Sequence, residues 1–135
     1  MSVTPNQRQY GSTAIIQVGV PFTGTALGAV WSPAAGKRIV LKGCALRARV
    51  TTVLAGATPG DHVFLCDNAV GTPLVSLGAI TSATEAAGKD FGLTAFDFDL
   101  GYPLAAVGNI LRVTTASGIG TGVINVTGFV WGDES

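Results

Sequence analysis

The feature that most constrains this chain is the regular interruption of short apolar runs by turn-forming residues. No stretch repeats apolar residues three and four positions apart over the length that an amphipathic helix needs. Instead, runs rich in Val, Ile, Leu and Thr end at Gly, Pro or Asn, which end strands and form tight turns. These runs are predicted as strands: residues 13–20, 25–31, 38–54, 62–66, 74–80, 90–100, 110–115 and 122–131.

About eight short strands in 135 residues predict one all-β domain. The spacing of the turns is typical of an antiparallel β-sandwich or barrel, and eight strands suit a jelly roll, although strand number alone does not fix topology. We therefore predict a single antiparallel β-sandwich over residues 13–135. Residues 1–12 are polar and without periodicity, and they predict an extended N-terminal arm that is either a disordered tail or a segment lying on a neighbouring subunit.

The clearest strand pattern lies in residues 38–54. Arg47 and Arg49 alternate there with apolar residues. Because side chains of a strand point alternately to its two faces, the pattern predicts one buried face and one face that carries both arginines. Gly43 interrupts the run, which predicts a bulge or bend at that position.

A second alternating run covers residues 90–100. It predicts that Asp97 and Asp99 share one face of a strand. The other face is predicted to carry apolar side chains, which are those of Phe96, Phe98 and Leu100.

The two arginines and the two aspartates have the same spacing of two residues. If their strands were adjacent, or met across a subunit boundary, the four side chains would form a ladder of two ion pairs. Such pairs fix register more than they add affinity. The alternative is two independent faces in contact with solvent. The candidate interface residues are therefore Arg47, Arg49, Asp97, Asp99 and, in the arm, Tyr10.

Charge is sparse in this chain. Only 12% of the residues are charged, against about 25% in soluble domains, and 47% are hydrophobic. Eight basic and eight acidic side chains give a formal net charge of zero, which argues against a nucleic-acid-binding role. A surface so poor in charge favours close association with other copies or with a larger assembly. The alternative is an ordinary soluble monomer whose surface is rich in Thr, Ser and Asn.

The sequence gives no pattern that addresses the chain to a membrane or to secretion. No apolar run reaches the roughly 18 residues of a membrane span. The first ten residues lack the hydrophobic segment of a secretory signal, so we expect synthesis in a cytoplasm.

Residues for catalysis are equally sparse. His62 is the only histidine, and its neighbour Asp61 would point to the opposite face of a strand, so no Ser-His-Asp arrangement is predicted. The spacing of Asp97 and Asp99 would suit a pair of catalytic carboxylates, but no sugar-binding platform accompanies them. Cys44 and Cys66 lie in apolar runs and are expected to be buried thiols. We predict neither enzymatic activity nor a metal or cofactor site.

Several short motifs occur in a characteristic order between residues 32 and 132. They are Pro33-Ala34-Ala35-Gly36-Lys37 leading into Ile39-Val40-Leu41-Lys42-Gly43, then Asp67-Asn68, Gly101-Tyr102-Pro103-Leu104-Ala105, Gly108-Asn109-Ile110-Leu111-Arg112-Val113 and Val130-Trp131-Gly132. This order resembles small jelly-roll structural proteins of tailed bacteriophages, most of all the capsid decoration (cement) proteins.

The resemblance implies a function as well as a fold. It implies a homotrimer on the outer surface of the virion, bound to the major capsid protein and stabilising the shell, with no nucleic-acid or membrane partner. Similar jelly rolls occur in tail and fibre proteins, so a receptor-binding or lectin-like module is the alternative. That module would need a platform of exposed aromatic residues, for which the sequence offers Trp31, Tyr102 and Trp131.

Overall fold

The computed structural model describes residues 13–135 as an all-β structure. The predicted arm and Tyr10 lie outside the described residues. The eight strands are β1 (Ala14–Phe22), β2 (Gly28–Trp31), β3 (Ile39–Ala55), β4 (His62–Asp67), β5 (Pro73–Ala79), β6 (Asp90–Pro103), β7 (Leu111–Thr115) and β8 (Thr121–Glu134). The all-β class and the number of strands predicted from the sequence are confirmed.

The strands form two four-stranded sheets that pack as a sandwich. Sheet A has the strand order β1-β8-β3-β6, and sheet B has the order β2-β7-β4-β5. Neighbouring strands within each sheet run antiparallel. Sheet A therefore ends at β1 and β6, and sheet B ends at β2 and β5.

Strand β3 lies at the centre of sheet A and shows the predicted alternation. Leu46, Ala48 and Val50 are completely buried, whereas Arg47 and Arg49 are exposed. The buried side chains enter the space between the sheets because each sheet must cover its apolar face. The predicted two-faced strand is confirmed.

Strand β8 crosses the middle of sheet A and needs glycine to pack closely against β3. Gly128 lies opposite Leu46 and has a φ of 132°. A Cβ atom at Gly128 would lie 2.1 Å from the carbonyl oxygen of Ala45. Any side chain here would separate β8 from β3 at the centre of the sheet.

The core between the sheets is aliphatic. Its largest fully buried side chains come from both sheets and from the connecting segments: Ile39, Leu41, Leu46, Leu54, Leu65, Leu77, Ile80, Leu104, Leu111, Ile119, Ile124 and Val50. The two cysteines lie among the buried residues as free thiols, as the sequence predicts.

Strand β6 departs from the predicted alternation after Asp97. Asp97 lies opposite Gly43, whereas Tyr102 lies opposite Leu41, so residues 98–101 together face the single residue Lys42. We call these four residues the β6 bulge. Phe98 still packs against the core, but the segment then turns outward, and Leu100 is 92% exposed. The prediction that Phe96, Phe98 and Leu100 follow a regular strand face was therefore wrong.

The bulge has a local cause. The Asp97 carboxylate Oδ1 accepts a hydrogen bond of 2.8 Å from the Asp99 amide, and Asp99 has a φ of 54°. A short polar side chain that bonds to the backbone two residues ahead makes a tight turn, and aspartate tolerates this left-handed conformation better than most residues. The turn ends the regular strand where the sequence pattern alone would continue it.

Candidate functional site

The outward face of sheet A is the main candidate for an interaction surface. On β8, Phe129 lies between Ala45 of β3 and Gln17 of β1. Phe129 is 47% exposed, and Ile15 on the neighbouring strand is 72% exposed. By the alternation of side chains along a strand, both lie on the same face as Arg47. Large apolar side chains thus lie on the solvent side of this sheet.

Trp131 extends this face toward β3. It is paired with Gly43, and a Cβ atom at Gly43 would lie 2.4 Å from the indole ring. The absence of a side chain lets the indole lie directly against the β3 backbone. The register shifts between Leu41 and Gly43, which confirms the bulge predicted at Gly43.

Three aromatic rings support the β6 bulge. The ring centres of Phe96 and Phe98 are 4.7 Å apart, and those of Phe98 and Tyr102 are 6.0 Å apart. Tilted rings at such distances attract one another through their quadrupoles. Phe98, the first residue of the bulge, is therefore held between the rings of Phe96 and Tyr102, while Leu100 remains in solvent.

The structure places β3 beside β6, as one version of the ion-pair prediction requires, but the register separates the predicted partners. Arg47 lies opposite Leu93, and Asp97 lies four residues further along β6, opposite Gly43. Within the chain, the predicted ladder does not form. Contact across a subunit boundary stays a prediction.

Arg47 instead pairs with Asp90, a residue that the sequence interpretation missed. Arg47 Nη1 is 3.2 Å from Asp90 Oδ2, and Asp90 Oδ1 accepts the Gly92 amide at 2.8 Å. The signal for this role was the Asp-x-Gly spacing, because an aspartate two residues before a glycine commonly forms such a turn. For Arg49, the described residues contain no ion-pair partner.

A small hollow lies beside the β6 bulge. Its volume is about 190 Å³, and its lining residues are Cys44, Ala95, Phe96, Asp97 and Trp131. Ala95 pairs with Ala45 and Trp131 with Gly43, which places both on the outward face of sheet A.

A larger cleft of about 510 Å³ lies at the free edge of sheet B. Its polar feature is a hydrogen bond of 2.8 Å between His62 Nδ1 and Ser76 Oγ. The sequence interpretation missed Ser76, because only the pairing of β4 with β5 brings it to His62. The other lining residues are Asp61, Phe64, Val70, Pro73, Leu74, Val75 and Ala116.

The Asp61 carboxylate is committed to the backbone. It accepts amide hydrogen bonds from His62 at 2.8 Å, from Ala116 at 3.1 Å and from Ser117 at 2.8 Å. The carboxylate thus ties the start of β4 to the β7–β8 connection. In this arrangement it holds backbone amides, whereas a catalytic aspartate orients the histidine ring.

Three of the motifs that carry the phage resemblance meet at Asp67, namely Asp67-Asn68 and the segments that contain Ala105 and Asn109-Ile110. This carboxylate is 4% exposed and accepts hydrogen bonds from the Ala105 amide at 2.7 Å and from Asn109 Nδ2 at 2.9 Å. The adjacent Asn68 Oδ1 accepts the Ile110 amide at 3.2 Å. These residues join two loops at one end of the sandwich, which gives the motifs a structural role.

The two thiols are buried and unreactive. Burial raises the pKa of Cys66 to about 11, with a smaller upward contribution from Asp67 and an opposing one from Arg112. Burial also raises the pKa of Cys44. Both side chains are therefore protonated near neutral pH, where a thiol is a poor nucleophile and a poor metal ligand.

Within residues 13–135, no group of three or more His, Cys, Asp or Glu side chains is arranged to hold a metal ion. That part of the chain also contains no helix long and apolar enough to cross a membrane.

The chain was also compared with known proteins. No known protein family, curated protein or solved structure matches it.

Proposed function

We propose that this protein is a non-enzymatic structural subunit of a virion, a decoration protein that binds the outside of an assembled capsid and stabilises the shell. The observation that carries the proposal is the uneven distribution of exposed apolar side chains. Among the described residues, nine large hydrophobic side chains are exposed, and seven of them lie on strands of sheet A and none on strands of sheet B. The seven are Ile15, Val53, Leu93, Phe96, Leu100, Tyr102 and Phe129.

A surface concentrated on one sheet fits a protein partner. Phe96 and Tyr102 lie opposite the buried Cys44 and Leu41 on the edge strand β6, so they flank the outward face of sheet A, whereas Ile15, Leu93 and Phe129 lie on it. Single exposed apolar residues are normal, but a concentration of them on one sheet marks an interaction site. The low charge of the chain points in the same direction, since it leaves little repulsion between neighbouring subunits.

The fold that accompanies this function is a jelly roll. The pairing of β1 with β8, β2 with β7, β3 with β6 and β4 with β5 supports it. Each strand pairs with the one that it would meet if the chain were first laid out as one long antiparallel hairpin and then rolled into two sheets. Jelly rolls consist of eight strands in two sheets joined by Greek-key connections.

The decoration protein acts by mass action. A subunit that binds only the assembled shell shifts the equilibrium toward that state. In a homotrimer, three copies bind neighbouring sites on the major capsid protein at once. The overall affinity is therefore high even though each single contact is weak.

The proposal is tested by co-sedimentation with purified capsid shells of a tailed phage that carries this chain. We expect the wild-type protein to bind mature shells and to raise the temperature at which they disrupt. Phe129→Asp, in the apolar face of sheet A, should weaken binding at least about tenfold. Ser76→Asp, on the exposed edge of sheet B, is the matched control and should bind as wild type.

The decisive contrary result is a wild-type protein that stays monomeric at high concentration and is missing from intact particles. Equal shell binding by Phe129→Asp and the wild type would reject sheet A as the binding face.

A second candidate function, a receptor-binding module of a tail or fibre, is favoured by the cleft at the edge of sheet B. Its volume of about 510 Å³ and its mainly apolar lining with the His62–Ser76 pair are in the range of ligand sites. The aromatic platform predicted for a lectin is incomplete, because Trp31 is 4% exposed and donates its indole hydrogen to Glu134 at 3.0 Å. A glycan array should detect a ligand whose binding is lost in His62→Ala; an array without signal would reject this candidate.

A further inference from the structure

We infer that the β6 bulge of one copy docks onto the outward face of sheet A of a second copy, where Leu100 enters the hollow beside Trp131 and where Asp97 and Asp99 meet Arg47 and Arg49. The inference rests on the self-association included in the proposed function. It identifies the element of each copy that makes the contact.

Leu100 has the properties of an interface anchor. It is the most exposed large apolar side chain among the described residues, at 92%. Interfaces obtain most of their binding energy from a few side chains that become fully buried in a pocket of the partner. A leucine held this far into solvent gains more from such burial than any side chain that is already half-covered.

The bulge is held in one shape before any contact is made. The Asp97 carboxylate holds the Asp99 amide at 2.8 Å, and Phe98 packs between Phe96 and Tyr102. At Gly101 the φ is 90°, and a Cβ atom would lie 2.9 Å from Val40. An element that is already ordered loses little conformational entropy on binding, so its contacts contribute more fully to affinity.

The receiving site is the hollow of about 190 Å³ on the same sheet. This volume is below the roughly 300–1,000 Å³ of small-molecule sites, and it suits a single inserted side chain. Ala95 and Trp131 give it an apolar lining on the outward face. An aliphatic side chain from a second copy therefore matches the hollow in both size and polarity.

Charge complementarity favours a second copy as the occupant. Asp99 lies in the bulge and Asp97 directly precedes it, and the receiving face carries Arg47 and Arg49 on the adjacent strand. Within one copy Asp97 is four residues beyond the position opposite Arg47, which is about 13 Å at the usual rise of a strand. That separation is too long for an ion pair, so these opposite charges can meet only between copies.

The donor and the receiver adjoin on β6, because Phe96 and Asp97 line the hollow beside the bulge. Two copies can exchange bulges reciprocally across a twofold axis, which is the isologous type of contact, or each copy can pass its bulge to the next in a ring, which is the heterologous type. Heterologous contacts close into rings when the rotation between copies permits, and a trimer is the smallest such ring.

The test measures self-association by sedimentation equilibrium for the full chain and for two single variants. Leu100→Ser disables the bulge, and Arg49→Glu disables the receiving face without removing the Arg47–Asp90 pair. We expect each variant to weaken association at least about tenfold. Val107→Ser is the matched control: Val107 is 54% exposed but lies outside the strands, and this variant should associate as wild type.

Mixing the two variants makes the test specific. Arg49→Glu retains an intact bulge and Leu100→Ser retains an intact receiving face, so the mixture should form a complex that neither variant forms alone. Wild-type association by either single variant, or a mixture that stays monomeric, would overturn the inference. Circular dichroism melts of all variants show whether each is folded.

The same variants separate this inference from the proposed function. A wild-type chain that is monomeric in solution but binds capsid shells would reject the bulge contact and leave the decoration function in place. Leu100-dependent association without any shell binding would reject the decoration function and leave the contact in place.

Discussion

At the scale of single residues, two glycines determine how closely β8 packs against β3. Trp131 can lie against β3 because residue 43 is glycine, and β8 can approach β3 because residue 128 is glycine. A Cβ atom at Gly128 would force the two strands apart, and one at Gly43 would displace the Trp131 indole. The outward apolar face of sheet A therefore depends on two residues that contribute no surface of their own.

The buried thiol of Cys66 predicts how stability depends on pH. Burial raises its pKa from an ordinary value of 9.0 to about 11. Between these values the unfolded chain has lost the thiol proton and the folded chain has kept it, so unfolding becomes more favourable as pH rises. A shift of this size lowers the free energy of unfolding by on the order of 2 kcal/mol across that range.

Urea unfolding of the wild type and of Cys66→Ala at about pH 8 and about pH 11 checks this prediction. The variant should be less stable at the lower pH because it loses buried volume, but its stability should fall less between the two pH values. All other groups are common to both proteins and cancel in the comparison. An equal fall in both proteins would contradict the prediction.

At the scale of elements, the sequence was sufficient to predict the two faces of β3, but only the first part of β6. The two faces of β3 differ sharply, with arginines on one and aliphatic residues on the other, and burial follows that difference. The first part of β6 pairs regularly with β3, but the hydrogen bond from Asp99 to Asp97 then turns the chain outward. A local side-chain bond of this kind competes with the strand ladder, and apolar alternation contains no information about it.

The candidate site also has features that the sequence was sufficient to predict and features that it was not. The exposure of Arg47 and Arg49 follows from the period of two, so the sequence was sufficient to predict it. The partner of Arg47 and the neighbour of His62 depend on the register between strands that are distant in sequence, which the sequence pattern leaves open. The hollow beside Trp131 depends on three strands at once, and only their pairing reveals it.

At the scale of the whole molecule, two aspartates at opposite ends of β4 connect sheet B to neighbouring loops by hydrogen bonds. Asp61 binds the β7–β8 connection at the start of the strand, and Asp67 binds the β6–β7 connection at its end. Each carboxylate accepts hydrogen bonds from N–H groups of a loop, which has no strand ladder to satisfy them. They differ chiefly in burial, because Asp67 is 4% exposed whereas Asp61 is half-buried.

This difference predicts unequal effects of the same substitution. Asp67→Ala removes the acceptor of the Ala105 amide and of Asn109 Nδ2, two partly buried hydrogen bonds to a residue that is 4% exposed. A donor left without a partner in such a site costs about 1–3 kcal/mol, so we expect a loss of about 2–5 kcal/mol in the free energy of unfolding. Asp61→Ala is the control: water can replace its carboxylate, and the loss should stay near 1 kcal/mol. Urea unfolding measures the loss of stability in both variants. Equal losses would mean that burial does not determine how much these hydrogen bonds contribute to stability.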